Sequence, residues 1–185
     1  MKYDLPANCQ LIEVHVANLQ QLFNSLDPTP FRKRDLDPEA EEFIAGWARE
    51  LESDKPIGLV VHVDGDVPSA DHVKTLNDAV RDYFGERASR ARQRLRQLFR
   101  VGRTSLLIGL IFLAGSIFVG DMIASMLAGT RFDDVIRESL LIGGWVAMWR
   151  PLEVFLYDWW PIRAEARLMD RLSAMAVRVV PSRPV

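Results

Sequence analysis

Two stretches of the sequence place a histidine and a carboxylate two residues apart. They read EVHV, with Glu13 and His15, and HVD, with His62 and Asp64. Both lie in runs rich in β-branched residues, which predict strands, and side chains two apart on a strand project from the same face. If the strands pair in a suitable register, these four side chains share one surface and make a set of metal ligands. The simpler interpretation, which the sequence favours, is a polar, solvated sheet face that binds no metal.

Catalytic and cofactor-binding motifs are missing from the sequence. It contains no GxxxxGK[ST], GxGxxG, HExxH or GxSxG pattern. The acidic run DLDPEAEE at 35–42 is explained by the start of a helix, since carboxylates there complement the helix dipole. Cys9 is the only cysteine, which excludes an intrachain disulfide and a Cys-based zinc site. We therefore expect no cofactor and no enzymatic activity.

Charged residues are segregated along the chain, although the formal net charge is only −2. Residues 87–103 (RASRARQRLRQLFRVGR) contain seven arginines, and the uncharged run SLLIGLIFLAGSIFV at 105–119 follows them. This order is typical of the positively charged flank of a membrane helix. We therefore expect the stem 87–103 to contact anionic lipid head groups and not nucleic acid. The arginines assigned to lipid contact are Arg90, Arg94, Arg96, Arg100 and Arg103.

A two-helix transmembrane hairpin is predicted after the stem. Residues 104–128 make a helix of about 35 Å, enough to cross the roughly 30 Å hydrocarbon core of a bilayer. Residues 129–138 form the turn, and residues 139–160 form the second helix. Small residues repeat every four positions along the first helix and predict its packing face. They are Ser116, Gly120, Ala124 and Ala128.

Ionisable residues interrupt the second apolar segment, where a charge is costly and often functional. Arg150 and Glu153 are three apart and hence neighbours on a helix. If the two helices run side by side, Asp158 lies at the depth of Arg103. We predict a buried Arg150–Glu153 pair and a solvated Arg103–Asp158 pair that anchor the helices or join subunits. The alternative is that these charges line an aqueous path.

The distribution of arginine also predicts the topology. Arginine is abundant on both flanks of the hairpin, whereas acidic residues offset it in the connecting turn. By the positive-inside rule, both termini lie in the cytoplasm and the turn lies outside. The first residues, MKYDLPANCQ, lack the basic and apolar regions of a cleavable signal peptide. We therefore expect internal segments to direct the protein to a bacterial inner membrane.

Residues 1–86 predict a small, mostly helical α/β domain with the order β-α-α-β-α. The strands are LIEVHV at 11–16 and IGLVVHVD at 57–64. The helices begin near Leu19, at Pro38 with Asp37 as its N-cap, and after Ser69, which can cap the third helix. Because two strands leave an open edge, either the helices cover that edge or another copy adds strands, and we expect the second outcome, a homo-oligomer. Residues 161–185 predict a cytoplasmic amphipathic helix and tail.

Two longer stretches carry a resemblance to other proteins. They are LFNSLDPTPFRKRDLDPEAEEFIAGWARE in the α/β domain and GGWVAMWRPLEVFLYDWWP in the second apolar segment. Both resemble conserved two-pass inner-membrane proteins of bacteria, and the likeness covers most of residues 10–165. The resemblance implies the two-pass architecture but no activity, ligand or catalytic residue.

Three functions remain open at this point. The first is a membrane-anchored oligomeric scaffold or partner-binding protein on the cytoplasmic face, with the α/β domain as its recognition surface. The alternative is a small oligomeric ion-conducting or pore-forming protein whose second helix lines the path. The third is a metal-dependent enzyme that uses the histidines and carboxylates of the strands.

Overall fold

The computed structural model describes residues 8–24, 35–52, 54–64, 69–126 and 133–182. The chain divides into two compact units. The α/β unit comprises Met1–Ala91 and Ala164–Val185, and the helical unit comprises Arg92–Arg163. The turn predicted at 129–138 lies partly outside the described residues.

The α/β unit contains a three-stranded parallel sheet in the order β1-β2-β3. Strand β1 is Gln10–Val16, β2 is Ile57–Val63 and β3 is Ala176–Pro181. The central strand β2 is almost wholly buried, because it lies between two neighbouring strands and packs Leu59, Val61 and Val63 into the core. This explains its nearly continuous apolar sequence, which is typical of a buried parallel strand.

The third strand corrects two predictions from the sequence. Residues 161–185 do not form one helix and a tail, because helix α4 (Trp159–Ser173) ends and β3 pairs with β2. Val177 is only 5% exposed, and Val179 packs beside it against the core. Alternate burial of β-branched residues stabilises a strand here. The described sheet therefore has three strands from the same chain, so the premise of a two-stranded sheet is wrong, and the homo-oligomer expected from it stays a prediction.

The helix predicted from Leu19 is also wrong in extent. Only a 3-10 turn forms at Leu19–Leu22, and the Asn18 side chain accepts a hydrogen bond from Gln20 N at its start. Phe23 then becomes extended and forms an antiparallel bridge with Leu36, so the backbone leaves the helical conformation. Residues 25–34, where the predicted helix would end, lie outside the described residues.

Helix α1 (Pro38–Glu50) begins as the sequence predicts. The Asp37 carboxylate accepts a hydrogen bond from Glu39 N at 3.0 Å, and Pro38 occupies the first turn. This satisfies one of the amide groups that a helix start leaves without a partner. Ile44, Ala45 and Ala48 of α1 pack into one hydrophobic core with the start of helix α2 (Ala70–Met126), with α4 and with one face of the sheet, whereas Phe43 and Trp47 are exposed.

The two faces of the sheet differ in character because side chains alternate along each strand. Ile12 and Leu59 lie opposite each other in the register and are buried in the core. Glu13, His15 and His62 occupy the intervening positions and therefore project from the other face. Packing of the core therefore fixes the backbone positions of Glu13, His15 and His62, although their side chains lie outside the core.

A polar cluster joins α1 to α2 within the α/β unit. The hydroxyl of Tyr83 donates a hydrogen bond to Glu41 Oε2 at 2.6 Å, and Arg87 donates to the same oxygen. The guanidinium of Arg87 also lies over the Tyr83 ring, 5.7 Å from its centroid. Burial of the phenol, followed by its hydrogen bond to Glu41, raises the pKa of Tyr83 to about 12. Arg87 therefore holds two helices together, in addition to its place in the arginine-rich stem.

This raised pKa predicts a loss of stability at alkaline pH. A tyrosine in the unfolded chain ionises near pH 10. Below that pH, neutral Tyr83 makes its full contribution to the free energy of unfolding. Its contribution is then lost as the pH rises from about 10 to about 12. In the folded protein, phenolate absorbance should show one tyrosine that titrates late, and Glu41→Gln should bring it closer to pH 10. Glu42→Gln, a neighbouring exposed carboxylate, serves as the control, and equal effects of both variants would contradict this assignment.

Two helical segments of the chain are long and apolar enough to cross a membrane. One belongs to α2, and the other runs through helix α3 (Asp133–Glu153), a π-helical segment (Val154–Asp158) and α4. In the most apolar 18-residue stretch of each segment, only 17% and 22% of the residues are buried, respectively. Core helices of soluble proteins have similar lengths and compositions but are mostly buried. Any function proposed for the protein must therefore explain why these two apolar segments are exposed.

Candidate functional site

A cluster of two histidines and one glutamate lies on the open face of the sheet. Strands β1 and β2 run parallel, and their register places His15 directly opposite His62. Glu13 lies two residues before His15 on β1 and so projects from the same face. The pairing of the buried residues on the opposite face fixes this register, because a shift by one residue would move those apolar side chains out of the core.

The side chains of this Glu13–His15–His62 cluster are close enough to bind one ion. The two imidazole rings stack with their centroids 4.3 Å apart and their planes 9° from parallel. Glu13 Oε2 lies 3.3 Å from His62 Nε2, and one potential ligand atom from each residue lies within 4.8 Å of the others. Glu13 and His15 are exposed and His62 is half-buried. The cluster therefore combines close donors with two side chains, those of Glu13 and His15, that solvent reaches.

One donor in the cluster lacks a hydrogen-bond partner among the residues that the structure describes. His62 Nε2 is buried, and its contact with Glu13 does not meet the geometry of a hydrogen bond. Unpaired buried polar atoms are uncommon and each calls for an explanation. A bound cation would supply the missing interaction.

The structure brings together three of the four residues that the sequence selects as metal ligands. Asp64 follows the last residue of β2 and is exposed, and it does not belong to the cluster that the described residues form. Its backbone N–H instead donates to Val16 O at 3.2 Å. His72 lies elsewhere on the surface, with its Nδ1 2.6 Å from Ser69 Oγ.

The helical unit contains a second arrangement, a seam of small residues between α2 and the antiparallel segment made of α3 and the start of the π-helical segment. A β-carbon added to Gly102 would lie 2.7 Å from Val154 Cγ1, and one added to Gly109 would lie 3.0 Å from Met148 Sδ. One added to Gly144 would lie 2.6 Å from Leu113 Cδ1. The two helices therefore run antiparallel and approach each other closely at glycine.

The seam agrees only partly with the small-residue stripe selected from the sequence. Ser116 and Gly120 are buried, Ala124 is half-buried, and Ala128 lies outside the described residues. Sequence reasoning missed the remaining seam residues: Gly102, Gly109 and Gly144. The signal was a seven-residue spacing through Gly102, Gly109 and Ser116, the repeat that keeps one seam facing a neighbour in left-handed helix packing.

The charges of the second apolar segment form one group. Arg150 Nη1 lies 2.9 Å from Glu153 Oε2 and 3.7 Å from Asp158 Oδ2. The sequence placed Asp158 beside Arg103, but the wider turn of the π-helical segment brings it to the face of Arg150. The Arg150 side chain is 67% exposed in this chain. The pair therefore forms on the surface of this chain, and its predicted burial, which depends on the membrane or on a second subunit, stays a prediction.

The arginines assigned to lipid contact are exposed along α2. Arg90 pairs with Glu86 at 2.7 Å, one helical turn earlier. The other four are exposed: Arg94, Arg96, Arg100 and Arg103. Long exposed arginines on one helix offer guanidinium groups to phosphates, which they bind in a bidentate geometry.

An aromatic cluster lies within the helical unit near these arginines in sequence. A cleft of about 360 Å³ is lined by Leu95, Phe99, Phe155, Trp159 and Arg163. The Arg163 guanidinium lies 5.5 Å from the centroid of the Trp159 ring, and Trp159 Nε1 donates to Phe155 O at 2.9 Å. Aromatic side chains with polar tips beside cations are typical of the membrane–water interface.

No protein-family model matches the chain, and neither a curated protein nor a solved structure matches it. The resemblance to bacterial two-pass membrane proteins therefore stays a prediction. The function has to be inferred from the geometry of the residues themselves.

Proposed function

We propose that the protein is a membrane-anchored oligomeric scaffold that crosses a bacterial inner membrane twice and presents its α/β unit to partners in the cytoplasm. The exposure of the two long apolar helical segments carries this proposal. Large apolar side chains cover their outer surfaces, with Ile111 65% and Phe118 71% exposed on α2 and Val146 69% exposed on α3. Moving each such side chain from water to hydrocarbon gains roughly 1.5–3 kcal/mol. The hydrocarbon core of a bilayer is therefore a more favourable environment for this surface than water.

The positions of the charges support a cytoplasmic α/β unit. Exposed arginines precede the apolar part of α2 and follow the aromatic residues near Trp160. Anionic lipid head groups and the positive-inside rule both favour the cytoplasmic side for such flanks. Asp121 and Arg137 pair at 3.0 Å at the opposite end of the helix pair. This pairing neutralises these two charges near the end that we assign to the outside.

A groove in the α/β unit supports the partner-binding part of the proposal. Its volume is about 600 Å³, and it lies between the first turns of α2 and the edge strand β3. The lining residues are Ala70, Val73, Lys74, Asn77, Ala176, Val177, Arg178 and Val179. An edge strand presents backbone donors and acceptors to which another chain can add a strand. A partner, or a second copy in a homo-oligomer, would pair at this edge.

The proposed topology can be tested with single cysteines in a Cys9→Ser background. We expect Thr130→Cys to react with an impermeant thiol reagent in intact cells, because the turn lies outside. Ser182→Cys should react only after the membrane is permeabilised. Permeabilised cells control for buried thiols, since both positions should react there. Reaction of position 182 but not 130 in intact cells would overturn the topology.

A pore is the second candidate, and the exposure of Arg150 favours it. Charged side chains at membrane depth usually face other helices or water, but Arg150 with Glu153 and Asp158 lies on the outer surface of the helix pair. In an oligomer, this surface would contact a second copy or line an aqueous path. Both proteins would be tested for ion flux into liposomes. If wild type conducts ions and Arg150→Met does not, the pore is the better proposal and the scaffold is rejected. The scaffold requires that neither protein conducts.

A further inference from the structure

We propose that Glu13, His15 and His62 bind one divalent transition-metal ion, with Zn²⁺ as the best match, on the open face of the sheet. The inference rests only on the described residues of the α/β unit and does not depend on the membrane topology. Two imidazoles and one carboxylate are a common set of protein ligands for Zn²⁺ and Fe²⁺. Three protein ligands leave at least one coordination position for water or another small ligand.

The backbone positions of the three ligands are fixed before any ion binds. Both strands contribute buried side chains to the core from their opposite face, including Ile12 and Leu59. The direct pairing of His15 with His62 then sets the distance between the imidazoles. An ion therefore needs to order only side-chain torsions, and this lowers the entropic cost of binding.

The side chains must rotate modestly to coordinate. The lone pairs of an imidazole lie in the ring plane, so two rings that stack 9° from parallel do not aim their donors at one point. His15 is exposed and can tilt toward the ion, whereas the His62 side chain is only 14% exposed and is held by its surroundings. We expect metal binding to break the ring stack mainly through movement of His15.

The buried His62 nitrogen distinguishes this cluster from an ordinary polar surface. His62 Nε2 lacks a hydrogen-bond partner among the described residues, and the Glu13 carboxylate lies 3.3 Å from it. A cation between them would satisfy the nitrogen and balance the carboxylate. The nitrogen donors also determine the class of ion, because Mg²⁺ and Ca²⁺ prefer oxygen ligands.

The test uses the full-length protein in detergent, with Co²⁺ as a coloured probe and Zn²⁺ as its competitor. We expect about one Co²⁺ per chain, a visible absorption band for nitrogen and oxygen coordination, and displacement by Zn²⁺. His15→Ala, His62→Ala and Glu13→Gln should each weaken binding by at least about tenfold, since even the loss of a residue that only orients a ligand has an effect of this size. Glu13→Gln is the most informative variant, because the side chain is exposed and nearly isosteric.

Two variants provide matched controls. His72→Ala removes an exposed histidine outside the cluster, and Asp64→Asn removes a carboxylate two residues from His62. Both should bind Co²⁺ as wild type does. Metal-free thermal unfolding measured on every variant establishes that a loss of binding is not a loss of fold. The proposal is overturned if wild type binds no Co²⁺, or if the two controls lose as much affinity as Glu13→Gln.

Discussion

A chain that ends at Ser173 is expected to lose the folded α/β unit, even though it retains the other two strands and α1. The truncation removes Met175 and Val177, which are 4% and 5% exposed in the core. Deleting one such side chain from a core typically costs about 2–5 kcal/mol. Strand β2 also loses its backbone partners along six paired positions. Because domains are stable by only about 5–15 kcal/mol, most of the unit should unfold.

Amide hydrogen exchange in detergent or nanodiscs measures this loss directly. The amides of Ile57–Val63 should be strongly protected in wild type and exchange rapidly in the truncated chain. A chain that ends at Ser182 keeps all of β3 and should behave as wild type does. Unchanged protection of β2 in the chain that ends at Ser173 would contradict the structural role of β3.

The second large effect is expected from two adjacent glycines of α3. A β-carbon at Gly144 would lie 3.3 Å from the Leu113 Cα and 2.6 Å from its Cδ1, and the Cα belongs to a backbone that cannot move independently. A β-carbon at Gly143 would meet no described atom within 4 Å. Gly144→Leu should therefore separate the helices and destabilise their packing by about 1–3 kcal/mol or more. Gly143→Leu should have little effect.

The two variants add the same side chain to the same helix, so they differ only in the face that carries it. Their relative stabilities can be measured by unfolding in mixed detergent micelles. A fluorescent donor on one helix and an acceptor on the other report the separation of the helices. We expect Gly144→Leu to shift the midpoint to lower denaturant and Gly143→Leu to leave it near wild type. Equal shifts would mean that α2 and α3 do not pack along the glycine seam.

The sequence predicted local features of the fold better than long-range pairing. The strands β1 and β2 and the capped start of α1 follow from β-branched runs and from Asp37 followed by Pro38. Strand β3 was missed because Leu168, Leu172 and Met175 continue the helical spacing across the true helix end. Its partner β2 lies more than a hundred residues earlier, and no local pattern reports such a pairing.

The candidate metal site was partly predictable for a similar reason. The period of two along each strand selects Glu13 with His15 and His62 with Asp64. The relative register of the two strands depends on the core, and it places His62 rather than Asp64 beside Glu13. In the helical unit, the sequence analysis followed the four-residue spacing of Ser116 and Gly120. It therefore missed the seven-residue spacing of Gly102, Gly109 and Ser116, along which the helices pack.

The position of β3 after the two apolar segments in the sequence has a consequence for biosynthesis. The ribosome releases β1, β2 and α1 long before β3, and the long apolar segments are translated in between. Folding of the α/β unit must therefore wait until the proposed membrane insertion is complete. If the second apolar segment fails to cross, β3 emerges on the wrong side of the membrane, and β2 keeps an unpaired edge that proteases and chaperones recognise. With the proposed topology, the discontinuous sheet thus makes correct insertion a condition for folding of the α/β unit.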